Sequence, residues 1–185
     1  MWLNDVKTKL GDNLKVNWRY FSLEQVNQKV GPEWKLWEQP EDYTSRGRLA
    51  FRAASAARQQ GPEAFERFHL ALLRSRHENQ RDVAQIETLI DAATTAGLDV
   101  ERFRADLKDR SLDERLAHDH TQAVDEYGTF GTPTFVFPNG NAAYVRMRPV
   151  APPDQTMETF DSLRHLMEDR PYIQEVKRPV PPGRA

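Results

Sequence analysis

Three observations predict an α/β fold. Leu14, Val16, Trp18 and Tyr20 alternate with Lys15, Asn17 and Arg19, the period of a half-buried strand. Thr134 to Phe137 is a short apolar run of β-branched and aromatic residues, which suits a buried strand. Pro138-Asn139-Gly140 stops that run with the chemistry of a tight turn, and Ala142 to Met147 reads as the returning strand of a hairpin. Between these two β regions, residues 41–127 follow helical spacing.

The 185 residues suit one domain, or one domain carrying an inserted subdomain. A fold of that length buries roughly 70% of its unfolded surface. Charged residues make up 29% and the formal net charge is -2, so there is no basic excess to hold nucleic acid. No apolar run reaches the ~20 residues of a membrane-spanning helix, and Met1–Leu10 lacks the apolar stretch of a secretory leader. With 0 cysteines, this chain carries neither disulfides nor thiols, which by itself names no compartment.

Trp2, Leu3, Val6 and Leu10 share a helix face, Lys7 and Lys9 complement the dipole of its last turn, and Gly11 is the expected stop. After the Leu14–Tyr20 strand, residues 22–40 read as irregular, with Gly31, Pro32 and Pro40. Trp34, Leu36 and Trp37 in that stretch either close over the helical core or wall a pocket beside the proline loop. Leu49, Ala50, Ala53, Ala54 and Ala57 form a small-residue stripe, broken by Gly61-Pro62. Phe65, Phe68, Leu72 and Leu73 mark the next buried face. Asp82 is the expected cap for a helix through Leu89 and Ala93, which Gly97 ends. Asp99 caps a helix carrying Phe103 and Leu107. Ser111 with Glu114 three residues on predicts a capping box for a last helix, with Leu112, Leu116, Ala123 and Val124 buried. Beyond the hairpin, Asp154 is the expected cap of a helix stopped before Pro171. Tyr172, Ile173 and Val176 suit a short extended segment laid on the body, and Val180–Ala185 an extended tail.

His118-Asp119-His120 suggests a metal site, but residues two apart on a helix point about 200° apart, so a helix-packing or surface role is expected. His69 and His77 share a face but stand ~12 Å apart along it. Ser22 has no local partner that would make it a nucleophile, and Arg146, Arg148, Lys177 and Arg178 read either as a basic patch for an anionic ligand or, the favoured reading, as solvated charges guarding a strand edge. No metal and no catalytic residue is expected in this chain. Thr132-Pro133 stands apart. Proline suits the first position of a strand, and an X–Pro bond is where a cis peptide costs only roughly 0.5–1 kcal/mol.

Gly131-Thr132-Pro133-Thr134-Phe135-Val136 resembles the cis-proline loop of DsbA-like proteins of the thioredoxin fold, in particular the FrnE-like and 2-hydroxychromene-2-carboxylate-isomerase-like branch. Val16 to Leu23 resembles that family's second core strand and the loop leaving it. Arg81-Asp82-Val83 through Gly97-Leu98-Asp99 resembles its helical insertion, and Ala123–Tyr127 the exit toward the proline loop. The resemblance implies a single DsbA-like domain over 1–185, with thioredoxin-like parts at 1–40 and 128–178 and a helical insertion at 41–127. In that family a first core strand leads to a Cys-x-x-Cys turn, or to a serine variant in the isomerase and kappa-class transferase branch. Met1–Lys7 looks like the back half of the helix that follows, so the first core strand and the reactive turn are expected to be absent.

Three functions follow as expectations. The first is a DsbA-family thiol–disulfide oxidoreductase-like protein without its redox motif, inactive as given. The second is a glutathione-dependent isomerase or kappa-class transferase relative. The third is a non-catalytic binding module, with a homodimer as one form. The resemblance places substrate binding at Thr132 and Pro133, where the residue before the cis proline offers backbone groups to an extended peptide or a small thiol or aromatic substrate. It implies no cofactor in this chain, a low-molecular-weight thiol in an intact homologue and a cytoplasmic location, and the charge and hydropathy above predict no nucleic-acid and no membrane partner.

Overall fold

The computed structural model describes residues 2–179. Val180–Ala185, expected to form a tail, lie outside the described residues. The chain divides into two units, one of Lys15–Thr132 and one of Trp2–Leu14 with Pro133 onward.

The second unit joins the N-terminal helix α1 (Trp2–Leu10) to the C-terminal helix α8 (Thr156–Asp169) and the hairpin of β1 (Thr134–Val136) and β2 (Ala142–Tyr144). Trp2 and Val6 are the buried face of α1, and the Trp2 ring meets Phe160 of α8 at 6.2 Å. Gly11 takes φ +53°, ending α1 as expected. The strands are antiparallel, with Thr134 opposite Tyr144 and Val136 opposite Ala142. Gly140 has φ +86° in the turn, the left-handed conformation that its lack of a Cβ permits. Asn139 and Asn141 donate their side-chain amides to the Glu168 carbonyl at 2.9 and 2.6 Å, satisfying an orphan carbonyl of the last turn of α8. The returning strand is shorter than expected, because the ladder ends at Tyr144, although the Val145 N–H still reaches the Pro133 carbonyl at 3.1 Å. Asp154 falls in a 3-10 turn over Pro153–Gln155 and makes no side-chain cap. Tyr172, Ile173 and Val176 are exposed, in a stretch that forms no strand, so the expected extended segment laid on the body is not seen.

The first unit contains the short helix α2 (Leu23–Asn27) and then α3 (Arg48–Gln59), α4 (Pro62–His77), α5 (Ile86–Thr95), α6 (Val100–Asp106) and α7 (Glu114–Tyr127). The alanine stripe lets α3 pack closely, with Ala53, Ala56 and Ala57 fully buried. Gly61 at φ +115° turns the chain and Pro62 opens α4. Phe68 and Phe103 meet at 5.4 Å across α4 and α6. Leu36 is fully buried, and Trp34 and Trp37 pack against the same core, so these side chains close over the helices.

Three sequence expectations change in this unit. Asp82 stabilises a turn by accepting from the Ala84 N–H, and α5 begins later, after Gln85. Ser111 lies in a 3-10 turn over Arg110–Asp113 that Asp109 caps, and α7 starts after Asp113. The Asp113 carboxylate takes two hydrogen bonds from Arg52, and α7 has no side-chain cap. Leu14–Tyr20 is the third. Its burial alternates residue by residue as expected, yet no ladder forms. Packing one face gives the period of two, whereas a strand also needs a neighbouring backbone. Side chains take that place at two points: the Tyr20 N–H donates to Asp119 Oδ2 at 3.2 Å, and Trp18 C=O accepts from Arg58 at 2.7 Å.

Candidate functional site

Thr132 and Pro133 are exposed, immediately ahead of β1. Pro133 heads the strand as expected, and its carbonyl accepts from Val145. The Thr132–Pro133 bond is not cis; the cis X–Pro bond among the described residues is Arg148–Pro149. The expected cis-proline loop is corrected accordingly. Trans is the default of an X–Pro bond by roughly 0.5–1 kcal/mol. Thr132 makes no backbone hydrogen bond among the described residues.

The most organised polar chemistry lies on α7. His118, Asp119 and His120 divide between surface and interior as helical geometry requires: His118 faces out, and Asp119 and His120 are buried. Each oxygen of Asp119 accepts two donors. Oδ1 takes Arg19 Nη1 at 2.9 Å and His118 Nδ1 at 3.3 Å, and Oδ2 takes Arg115 Nε at 2.9 Å and the Tyr20 N–H at 3.2 Å. Burial opposes ionisation of Asp119, but the donors from Arg115, Arg19, Tyr20 and His118 outweigh it and hold the carboxyl below the usual range.

His120 Nδ1 accepts from the Ser22 N–H at 3.2 Å, so the imidazole is neutral there. Burial, with Lys35 nearby, pushes its pKa down. Its ring lies 4.6 Å from Phe21 and 5.6 Å from Trp37. Ser22 caps α2 by accepting from the Gln25 N–H at 3.1 Å, a structural role rather than a nucleophilic one. The 19–22 segment is thereby tied to α7.

A second charged centre sits at Arg52. Its guanidinium donates to both oxygens of Asp113 at 3.0 and 2.7 Å, to both oxygens of Glu41 at 2.8 and 3.1 Å, and to the Leu107 carbonyl at 3.2 Å. Those are all five of its N–H donors.

His69 stacks on Phe65 at 5.6 Å and meets the tilted Trp18 ring at 4.5 Å. No group of three or more His, Cys, Asp or Glu among the described residues could hold a metal ion. Arg146, Arg148, Lys177 and Arg178 are exposed.

Sequence reasoning passed over Arg19 and Arg115 as partners of Asp119. One signal was present: Asp119 and His120 occupy the stripe of Leu112, Leu116 and Ala123, where an amphipathic helix should be apolar.

A helical body with a proline-headed hairpin is compatible with a thioredoxin-like domain, and the comparisons agree. The family model described as thioredoxin (Thioredoxin_5) matches residues 7–147, and the chain belongs to that family. The domain is mostly helical, with a small two-stranded sheet. The chain is 26% identical over 191 residues to the protein Rv2286c of Mycobacterium tuberculosis, covering 99% of this chain and 76% of that one. It is 38% identical over 89 residues to the ClpXP adapter protein SpxH of Halalkalibacterium halodurans, covering 48% of this chain and 29% of the adapter. The SpxH of Shouchella clausii is 37% identical over 90 residues, with 49% and 30% covered. The chain thus spans less than a third of the two adapters. No helix among the described residues is long and apolar enough to cross a membrane.

Proposed function

We propose that this chain is a DsbA-family, thiol–disulfide oxidoreductase-like protein of the FrnE-like and hydroxychromene-carboxylate-isomerase-like branch. It performs no thiol chemistry itself and presents the strand entry at Thr132–Pro133 to an extended peptide. The helices of 41–127 are its insertion within one domain. The observation that carries this reading is a thioredoxin-family match over residues 7–147 in a chain with 0 cysteines. The exposed Thr132, whose backbone is not engaged by the described residues, supports peptide binding by strand addition.

Two assays test it. Insulin-disulfide reduction with dithiothreitol should proceed at the blank rate; turnover above the blank overturns the reading. Fluorescence anisotropy with S-carboxymethylated insulin B chain should show saturable binding, weakened by Thr132→Pro, which removes the N–H. Equal binding by the variant removes Thr132 from the site.

The similarity to the SpxH adapters favours a second reading, a non-catalytic module for one protein partner. An array of unrelated extended peptides separates the two. Comparable binding to many supports the first reading, and binding to none supports the second.

A further inference from the structure

We propose that Arg19 and Arg115, seated on the two oxygens of the buried Asp119, form a binding site for a phosphate-type oxyanion. The side chain of Asp119 is 0% exposed, while those of Arg19 and Arg115 are 44% and 39% exposed. The carboxylate is therefore inside, and the two arginine side chains that hold it are partly open to solvent. Arg19 uses only Nη1 on Asp119, and Arg115 only Nε. Each guanidinium has five N–H donors, so four on each make no hydrogen bond with the described residues. Two cations against one anion leave a charge excess of one, even with His118 neutral.

The shared carboxylate does more than neutralise. By accepting from both arginines it holds two long side chains side by side, which lowers the entropy lost when a ligand arrives. Both oxygens of Asp119 are already saturated, so it does not draw the remaining donors inward. Guanidinium forks match the oxygens of phosphate bidentately. A tetrahedral anion with several oxygens uses donors from both arginines at once. His118, on the same carboxylate and exposed, adds a third group at the rim. Glu114, Asp125 and Glu126 are the other carboxylates of α7, and the last two line the shallow groove beside His118. They disfavour an anion along that groove and leave the Arg19–Arg115 end as the site. The inference does not depend on the peptide-binding reading of Thr132–Pro133.

The test is a titration of the full chain with inorganic phosphate at constant ionic strength, followed by NMR of the arginine Nε–Hε signals, with chloride as control. The Arg19 and Arg115 signals should shift saturably with phosphate and not with chloride. Arg115→Gln should weaken the affinity about tenfold, the loss of one charge-assisted contact, and Arg115→Lys should weaken it less. A phosphoserine peptide in place of free phosphate distinguishes the source: tighter binding assigns the site to a phosphorylated segment, and equal or weaker binding to a free small ion. No saturable shift in the unsubstituted protein, or the same affinity in Arg115→Gln, overturns the proposal.

Discussion

Arg52 and Asp119 are both buried charges in the helical unit, and both are held by carboxylate–guanidinium hydrogen bonds. They are arranged inside out with respect to each other. Around Arg52 the cation is enclosed, 1% exposed, and its five donors end on Asp113, Glu41 and a carbonyl. The hydrogen bonds that Arg52 donates to Asp113, and then those to Glu41, hold its pKa well up against the opposing effect of burial. Glu41 is held low, first by the Arg52 hydrogen bond. Around Asp119 the anion is enclosed, and its arginine partners are partly exposed and make no hydrogen bond with the described residues through most of their donors. A centre with every donor used can only brace the fold. One whose arginines keep most of their donors can brace the fold and also bind.

The largest expected effect breaks the closed centre. Arg52→Met leaves Asp113 buried without its partner and should cost about 3–5 kcal/mol in urea unfolding. A loss under about 1 kcal/mol would mean that the centre is not a structural brace.

Asp119→Leu should cost less, about 1–3 kcal/mol, since it orphans the buried Tyr20 N–H while the released arginines rehydrate. The same unfolding measurement checks the order. If Asp119→Leu proves the more damaging, the contrast between the two centres fails.

The pH dependence sharpens the comparison further. The His120 pKa is lower folded than unfolded, so the unfolded chain binds more protons as the pH falls. The contribution of neutral His120 is therefore complete above its unfolded value near 6.5 and is lost as the pH falls toward the folded value. Asp119, also depressed, contributes fully above roughly 4 and loses that contribution in stronger acid. Thermal melts from pH 8 to 5 should show stability falling, and His120→Gln should flatten the curve over that range. An unchanged slope in His120→Gln would assign the pH dependence to another group.

The smallest effect is Ser22→Ala. It removes the cap on Gln25 beside His120 and should cost about 1 kcal/mol. A negligible change in melting would show that the cap adds nothing to the hold that Asp119 and His120 already have on the 19–22 segment.

The helices were readable because their signals are local. Gly11, Gly61-Pro62, Gly97 and Asp99 stop or start elements where expected, and Phe68, Leu89 and Phe103 lie fully buried on their stripes. The hairpin turn at Asn139-Gly140 was readable for the same reason. Asp82 and Ser111 show the limit of a local signal. Several nearby residues offer caps, and which one is used depends on where neighbouring side chains go, as Arg52 engages Asp113. Of the candidate site, Thr132–Pro133 was legible as a strand entry, but its peptide geometry was not. The pairing of Arg19 with Asp119 was not legible either, since the two stand 100 positions apart along the chain.

Taken alone, the amino-acid order determined the helical stripes, the hairpin turn, the lack of cysteine in this chain and the alternating burial of Leu14–Tyr20. All of these depend on residues within a few positions of one another, or on composition. Only the tertiary structure decided that Leu14–Tyr20 forms no ladder, that Thr132–Pro133 is not cis, and that Asp119 gathers two arginines. Each of those depends on what lies alongside a residue in space, and a hydrogen bond of about 3 Å is made or missed by packing that no local pattern encodes.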